Sequence, residues 1–129
     1  MHTTHDLYQP IYSEFGADPD LGMLVELFVD EMPGRIRGLR TAFEDHDWVL
    51  LRRLAHQLKG SAGSYGFGQI TPFAASVEQA VASGESELSI GEQVDRLTGA
   101  LERTRAGMPV GGANGGRAQG DRANGGGET

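Results

Sequence analysis

Apolar side chains recur at helical spacing in four segments of the first 106 residues, and none of these segments alternates as a strand would. The first segment begins at the Asp-Pro-Asp run at 18–20, an N-capping acid followed by proline, and extends to an acidic turn at 44–47. Because its apolar phase continues through Pro33, we expect one long kinked helix rather than two helices. Its predicted inward residues are Leu21, Leu24, Val25, Phe28, Met32, Ile36, Leu39 and Phe43.

Three further segments predict a second, third and fourth helix. The second starts after the cap Asp47 and ends near Gly66, the third follows Gly68, and the fourth covers about 89–105. Amphipathic helices with short connections predict an all-α fold, an antiparallel four-helix bundle. The predicted inward residues are Leu51, Leu54, Ala55, Leu58, Ala62 and Tyr65, then Ile70, Phe73, Ala74, Val77, Ala80 and Val81, then Ile90, Val94, Leu97 and Leu101.

The two ends of the chain differ from the bundle. A short extra N-terminal helix is expected across the bundle, although Pro10 interrupts it; its apolar residues are Leu7, Tyr8, Ile11, Tyr12 and Phe15. The glycine-rich segment 107–129 has too little apolar surface to offset its ordering entropy, so we interpret it as a disordered tail or linker. The expected domain is therefore 1–106.

Composition removes several classes of function. The chain has no cysteine, which excludes disulfides, thiolate metal sites and cysteine nucleophiles. Its formal charge of -7 argues against nucleic acid or an anionic membrane as the main partner. The first residues do not have the character of a signal peptide, and no apolar run approaches the roughly 20 residues that span a bilayer. We expect a cytoplasmic protein and, since the stripes suit a single bundle, a monomer.

The most informative stretch of the chain is 56–66, where glycines interrupt a predicted helix. Each interior glycine costs a helix about 1 kcal/mol relative to alanine, so the bare surface serves another purpose. At roughly 100° per residue, His56 lies about 140° from the buried Leu51 and Lys59 about 80° from it. His56 therefore faces solvent, with Gly60 and Gly63 next to it on the C-terminal side.

This arrangement suits phosphoryl transfer, which requires mainly positioning and electrostatic stabilisation. An ordinary imidazole has a pKa of about 6.5 and is a good nucleophile near neutral pH. Lys59 and Arg52 supply positive charge for phosphoryl oxygens, and the glycines allow a partner's loops to approach closely. The sequence contains no nucleotide-binding loop and no plausible metal cluster. We expect no cofactor of its own, and any metal ion would come with the partner.

The run H-x-x-K-G-S-A-x-x-x-G closely resembles the signature of histidine-containing phosphotransfer domains of multistep phosphorelays, and the likeness extends from about Leu21 to Val81. The resemblance implies a four-helix bundle whose exposed histidine takes a phosphoryl group from a receiver-domain aspartate and passes it to another. It makes His56 the phosphorylated residue, Lys59 its companion and Gly60 the close-approach glycine. Ser61, Ala62 and Gly66 fit the family's small-residue preferences, and Mg²⁺ is expected on the receiver.

Alternatives remain open on the sequence alone. The chain could be the phospho-accepting domain of a chemotaxis-type histidine kinase, or a docking bundle without chemistry. As a relay intermediate or as the phospho-accepting domain of a kinase, it is a carrier of phosphohistidine rather than a turnover enzyme with its own ATP site. The receivers or kinase that are cognate to it are not encoded in the motif.

Other residues receive weaker interpretations. Gln57 and Ser64 lie on the exposed side of the histidine helix and are expected to contact a partner, with Arg52, Gly60 and Gly63. Arg52 and Arg53 are interpreted as a solvated face that also helps docking. Gly60 and Gly63 could instead permit close helix packing, which their outward positions disfavour. Three residues have structural rather than chemical expectations, and we assign no site to them: His46 as a turn residue, Trp48 as a helix staple and Glu78 as a solvated charge.

Overall fold

The computed structural model describes residues 9–107, which form five helices and two very short strands. The all-α prediction is confirmed for this range. The predicted tail beyond 107 and the apolar residues Leu7 and Tyr8 lie outside the described residues. The elements are β1 (Ile11–Tyr12), α1 (Gly22–Asp30), α2 (Met32–Glu44), α3 (Trp48–Ser64), α4 (Thr71–Ala82), α5 (Glu87–Glu102) and β2 (Thr104–Arg105).

The predicted long first helix is divided in two at Glu31. Pro33 is near the start of α2 and has no N–H to continue the hydrogen-bond ladder of α1. Glu31 itself keeps near-helical angles, and its N–H lies 3.2 Å from the carbonyls of Leu27 and Phe28. The kink was placed correctly, but the prediction of a single continuous helix was wrong.

Helix α1 also buries fewer apolar side chains than predicted. Leu21 and Leu24, expected to face inward, are 37% and 47% exposed, whereas Val25 and Phe28 are buried. As a separate short helix, α1 contacts α2 and β2 and presents only a narrow face to the core. The prediction that Asp18 caps this helix was wrong, because the N-cap of α1 is Leu21, without a side-chain hydrogen bond. The Asp18 carboxylate instead accepts the N–H groups of Asp20 at 2.7 Å and Leu21 at 3.1 Å in the turn that precedes α1.

The remaining four helices surround one apolar core. Helix α3 packs against α2 and α4, and α5 packs against the same two helices. Within residues 9–107 no helix is both long and apolar enough to cross a membrane. Most residues predicted to face inward in these helices are buried: Met32, Leu39, Leu51, Ala55, Leu58, Ala62, Ala74, Val77, Ala80, Ile90, Val94, Leu97 and Leu101. Six other predicted residues are only partly buried and pack against the core: Ile36, Phe43, Leu54, Tyr65, Phe73 and Val81.

The N-terminal segment forms a strand where a helix was expected. Ile11–Tyr12 pairs in parallel with Thr104–Arg105, and the Ile11 N–H donates to the carbonyl of Arg103 at 2.8 Å. Consequently α5 ends at Glu102 instead of continuing to 105. The two strands are about 90 residues apart in sequence, so local periodicity gives no sign of their pairing.

A tight turn after α3 fixes the end of that helix. Gly66 has a φ of 84°, a conformation that favours glycine, and a Cβ there would lie 2.5 Å from the hydroxyl of Ser13. That hydroxyl donates to the carbonyl of Tyr65 at 2.6 Å, and the N–H of Glu14 donates to the carbonyl of Gly66. The N-terminal segment therefore anchors the C-terminal end of α3.

Candidate functional site

Helix α3 presents His56 to solvent as the helical wheel predicted. Asp47 begins the helix by accepting the N–H of Leu50 on its carboxylate at 3.1 Å. Four apolar residues of α3 are fully buried, namely Leu51, Ala55, Leu58 and Ala62. They fix the rotation of the helix, and the side chain of His56 consequently remains 66% exposed.

A carboxylate from the next helix contacts both His56 and Lys59. Glu78 of α4 places Oε2 2.8 Å from Nδ1 of His56 and accepts a hydrogen bond from Nζ of Lys59 on Oε1, also at 2.8 Å. Its side chain is only 18% exposed. The expectation of a freely solvated Glu78 is therefore wrong. Glu78 follows the buried Val77, and the packing of α4 on α3 brings its carboxylate to the motif.

The hydrogen bonds determine the charge of this carboxylate. Donation from Lys59 lowers the pKa of Glu78 below the ordinary value of 4.5, donation from His56 adds to the effect, and partial burial opposes it. Glu78 is thus ionised near neutral pH and can only accept hydrogen bonds.

An ionised partner at Nδ1 selects the tautomer of the imidazole. Since Glu78 accepts, Nδ1 of His56 carries the proton, and in the neutral ring Nε2 keeps its lone pair. A carboxylate in this position also orients the ring. The geometry therefore produces an oriented, exposed nitrogen nucleophile.

The glycines of α3 leave open space beside this nucleophile. A Cβ on Gly60 would meet no atom within 4 Å, and one on Gly63 would only touch the Thr71 hydroxyl at 4.0 Å. Close helix packing therefore does not explain them. Gln57 and Ser64 are exposed on the same helix, and the Ser64 hydroxyl donates to the carbonyl of Gly60 at 3.2 Å.

On the other side of His56 lies a groove of about 550 Å³, which we call the basic groove. It includes both arginines of α3 in the turn preceding the histidine. Val49 and Val81 contribute apolar surface to it. Its lining residues are Trp48, Val49, Arg52, Arg53, His56, Glu78, Val81 and Ala82.

His46 and Trp48 take the structural positions expected of them. Trp48 lies edge-on to Phe43 and stacked with the ring of His46, with centroid distances of 5.8 and 5.2 Å. Nε2 of His46 is 3.0 Å from a carboxylate oxygen of Glu87 at the start of α5. These contacts join the α2–α3 turn to α5.

Comparison with known families agrees with this geometry. The family model described as the Hpt domain matches residues 23–107, a range that includes His56, Lys59 and Glu78. The chain belongs to the Hpt domain family. Hpt domains carry out histidine phosphotransfer in two-component signalling and interact there with receiver domains or kinases. No curated protein and no solved structure matches this Hpt chain.

Proposed function

We propose that this Hpt domain is a phosphorelay intermediate that accepts a phosphoryl group on His56 from the phosphoaspartate of one receiver domain and passes it to the aspartate of another. The observation that supports this most strongly is the Glu78 bridge. It ties Nδ1 of His56 and Nζ of Lys59 to one carboxylate, each at 2.8 Å, while the imidazole stays exposed.

In the proposed reaction, the lone pair of Nε2 attacks the phosphorus of the partner's acyl phosphate. An N–P bond forms as the P–O bond to the aspartate breaks, and the aspartate leaves as a carboxylate with the electron pair. The proton on Nδ1 of His56 stays in place, and Glu78 stabilises the positive charge that develops on the ring. Transfer to the second receiver is the same step in reverse.

Charges around Nε2 have separate roles in this proposal. The ammonium of Lys59 holds Glu78 ionised and, bound to the same carboxylate as the imidazole, offsets the negative charge of the phosphoryl oxygens. Arg52, one turn before His56, adds a second cation. Mg²⁺ is proposed to belong to the receiver, where it would neutralise the phosphoryl group of the incoming aspartate.

The open surface of α3 around its glycines lets the receiver come close to His56. Open space at Gly60 and at Gly63 lets the receiver's loops reach Nε2, with Gln57 and Ser64 as flanking contacts. We further propose that α2 to α5 form an antiparallel four-helix bundle that acts as a monomer. Binding one receiver at a time would then be sufficient for both transfers.

The test is phosphoryl transfer from a panel of phosphorylated receiver domains to the wild type and to His56→Gln. We expect acid-labile, alkali-stable label on the wild type only. His46→Gln is the matched control, since it removes another exposed imidazole that contacts a glutamate. Label from ATP and a kinase core, with none from any receiver, would contradict the proposal and support the kinase-domain alternative. Label from neither donor would support a docking bundle without chemistry.

A further inference from the structure

The two arginines of the basic groove, Arg52 and Arg53, have no partner among the described residues. Neither Arg52 nor Arg53 makes an ion pair or hydrogen bond with another residue of the described range 9–107, whereas Arg35 and Arg40 are paired with acids. Both are exposed. Two adjacent cations, unpaired in a chain with a charge of -7, form a local site for negative charge.

The same groove exposes apolar surface. Val49 is 73% exposed, and Trp48 and Val81 are only partly buried by the surrounding helices. This surface lies between the start of α3 and the end of α4, directly beside the arginines. A complementary surface would therefore combine an apolar side chain with acidic neighbours.

Helix geometry connects this groove to the nucleophile. Side chains on a helix lean toward its N-terminus, so the imidazole of His56 extends over the turn that carries Arg52 and Arg53. His56 and Glu78 themselves line the groove. A protein that reaches Nε2 therefore has its adjoining surface above the groove.

We infer that the basic groove docks an acidic and apolar surface of the protein that exchanges the phosphoryl group with His56. The inference rests on the proposed function and extends it, since it assigns partner recognition to the N-terminal half of α3 and the C-terminal half of α4. Arg53 and Arg52 pair with carboxylates around the partner's phosphorylation site, and Val49 and Val81 receive an apolar side chain. Opposite charges across such a surface raise the rate of association and make it sensitive to salt.

The experiment measures the rate of transfer from the receiver that labels the wild type fastest. Arg53→Glu and Val49→Asp are the groove variants, and both positions are exposed, so the fold is retained. Arg96→Glu and Leu88→Asp are matched controls on α5, which make the same changes at exposed positions outside the groove. Each rate is divided by the rate at which phosphoramidate, a small donor that needs no docking, labels the same variant.

We expect each groove variant to lower the normalised rate about tenfold or more, and we expect the effect of Arg53→Glu to shrink at high salt. The controls should stay within about twofold of the wild type. Groove variants that behave like their controls would overturn this inference while leaving the proposed function intact. A wild type that no receiver labels would overturn the proposed function and this inference together.

Discussion

Two histidines of this Hpt domain have similar local contacts but different surroundings. His46 and His56 are both more than half exposed, and each has a ring nitrogen 2.8–3.0 Å from a glutamate of a later helix. His46, however, is bound through Nε2 and stacked on Trp48, and its partner Glu87 is 59% exposed. His56 is bound through Nδ1 and has no ring stacked on it among the described residues.

Under the proposed function, an imidazole–carboxylate pair is not by itself sufficient for a nucleophile. At His46 the nitrogen farther from the backbone is occupied by Glu87, and one face of the ring is covered. At His56 the nearer nitrogen is occupied, a lysine holds the carboxylate ionised, and the space beside the ring is open at Gly60. The His56 site therefore differs from the His46–Glu87 pair in three ways: the ring nitrogen that is bound, the lysine on the carboxylate and the open helix surface.

The largest expected effect is loss of the nucleophile itself. His56→Gln should abolish the acid-labile label, because the nucleophile is lost. His46→Gln should accept the phosphoryl group at a rate within about twofold of the wild type, because the His46 ring makes only structural contacts. Rapid-quench transfer from a labelled receiver measures both. Equal loss in the two variants would show that the comparison between the histidines is wrong.

The next effect concerns the carboxylate partners. Glu78→Gln keeps an acceptor for Nδ1 of His56 but removes the negative charge. We expect the rate of phosphoryl transfer to fall by about 10- to 100-fold, the usual cost of losing a carboxylate that orients a functional histidine. Glu87→Gln, the same change beside His46, should leave transfer unchanged. Ring ¹⁵N shifts should show that more of His56 is the tautomer protonated on Nε2 in Glu78→Gln than in the wild type. An unaltered tautomer ratio would remove the proposed role of Glu78.

A smaller effect is expected from the cation. Lys59→Ala should slow transfer several-fold and raise the pKa of Glu78, because donation from Lys59 is the main cause of its lowered value. A ¹³C titration of the Glu78 carboxyl measures the pKa. Lys59 is the only lysine of the chain, so its Nζ resonance also reports the bond directly. A Glu78 pKa that stays low in Lys59→Ala would assign the effect to another group.

Glycine 60 should show opposite effects on stability and transfer. Gly60→Ala fits the open space at that position and should stabilise the helix by about 0.5–1 kcal/mol, yet slow transfer a few-fold by obstructing the receiver. Gly99→Ala is the control in α5, where a Cβ also meets nothing within 4 Å. Urea denaturation and transfer rates separate the two effects. If Gly60→Ala transfers as fast as Gly99→Ala, close approach at Gly60 is not required.

The smallest effect concerns stability against pH. Because the pKa of Glu78 is lowered by folding, its ionised form stabilises the folded protein above about pH 4.5, and this contribution is lost as the pH falls through the folded value. The difference in free energy of unfolding between wild type and Glu78→Gln should therefore shrink below pH 4.5. Lys59→Ala should weaken this dependence. A constant difference down to acid pH would contradict the lowered pKa.

Local sequence patterns predicted most of α3, α4 and α5 because the buried stripes of these helices are regular. The cap Asp47, the break at Gly66 and the outward position of His56 all followed from spacing within a few turns of helix. The β1–β2 pairing could not be predicted in this way, because its hydrogen bonds join residues about 90 positions apart.

The site was predicted only where it lies on one helix. His56, Lys59 and Gly60 form a local motif on α3, but Glu78 is 22 residues further along and reaches them through the packing of α4. Its role depends on which face of α4 meets α3, and helical periodicity alone does not determine that. The groove formed by Val49 and Val81 was missed for the same reason.

The strand pair has a mechanical consequence. Because β1 and β2 are parallel neighbours, the chain enters and leaves the helices side by side while running in the same direction. A pull on residues 9 and 107 would load the Ile11–Arg103 and Ser13–Arg105 hydrogen bonds in shear, both at once, instead of opening them one after the other. Tension applied at these two residues therefore reaches the strands before it reaches α3.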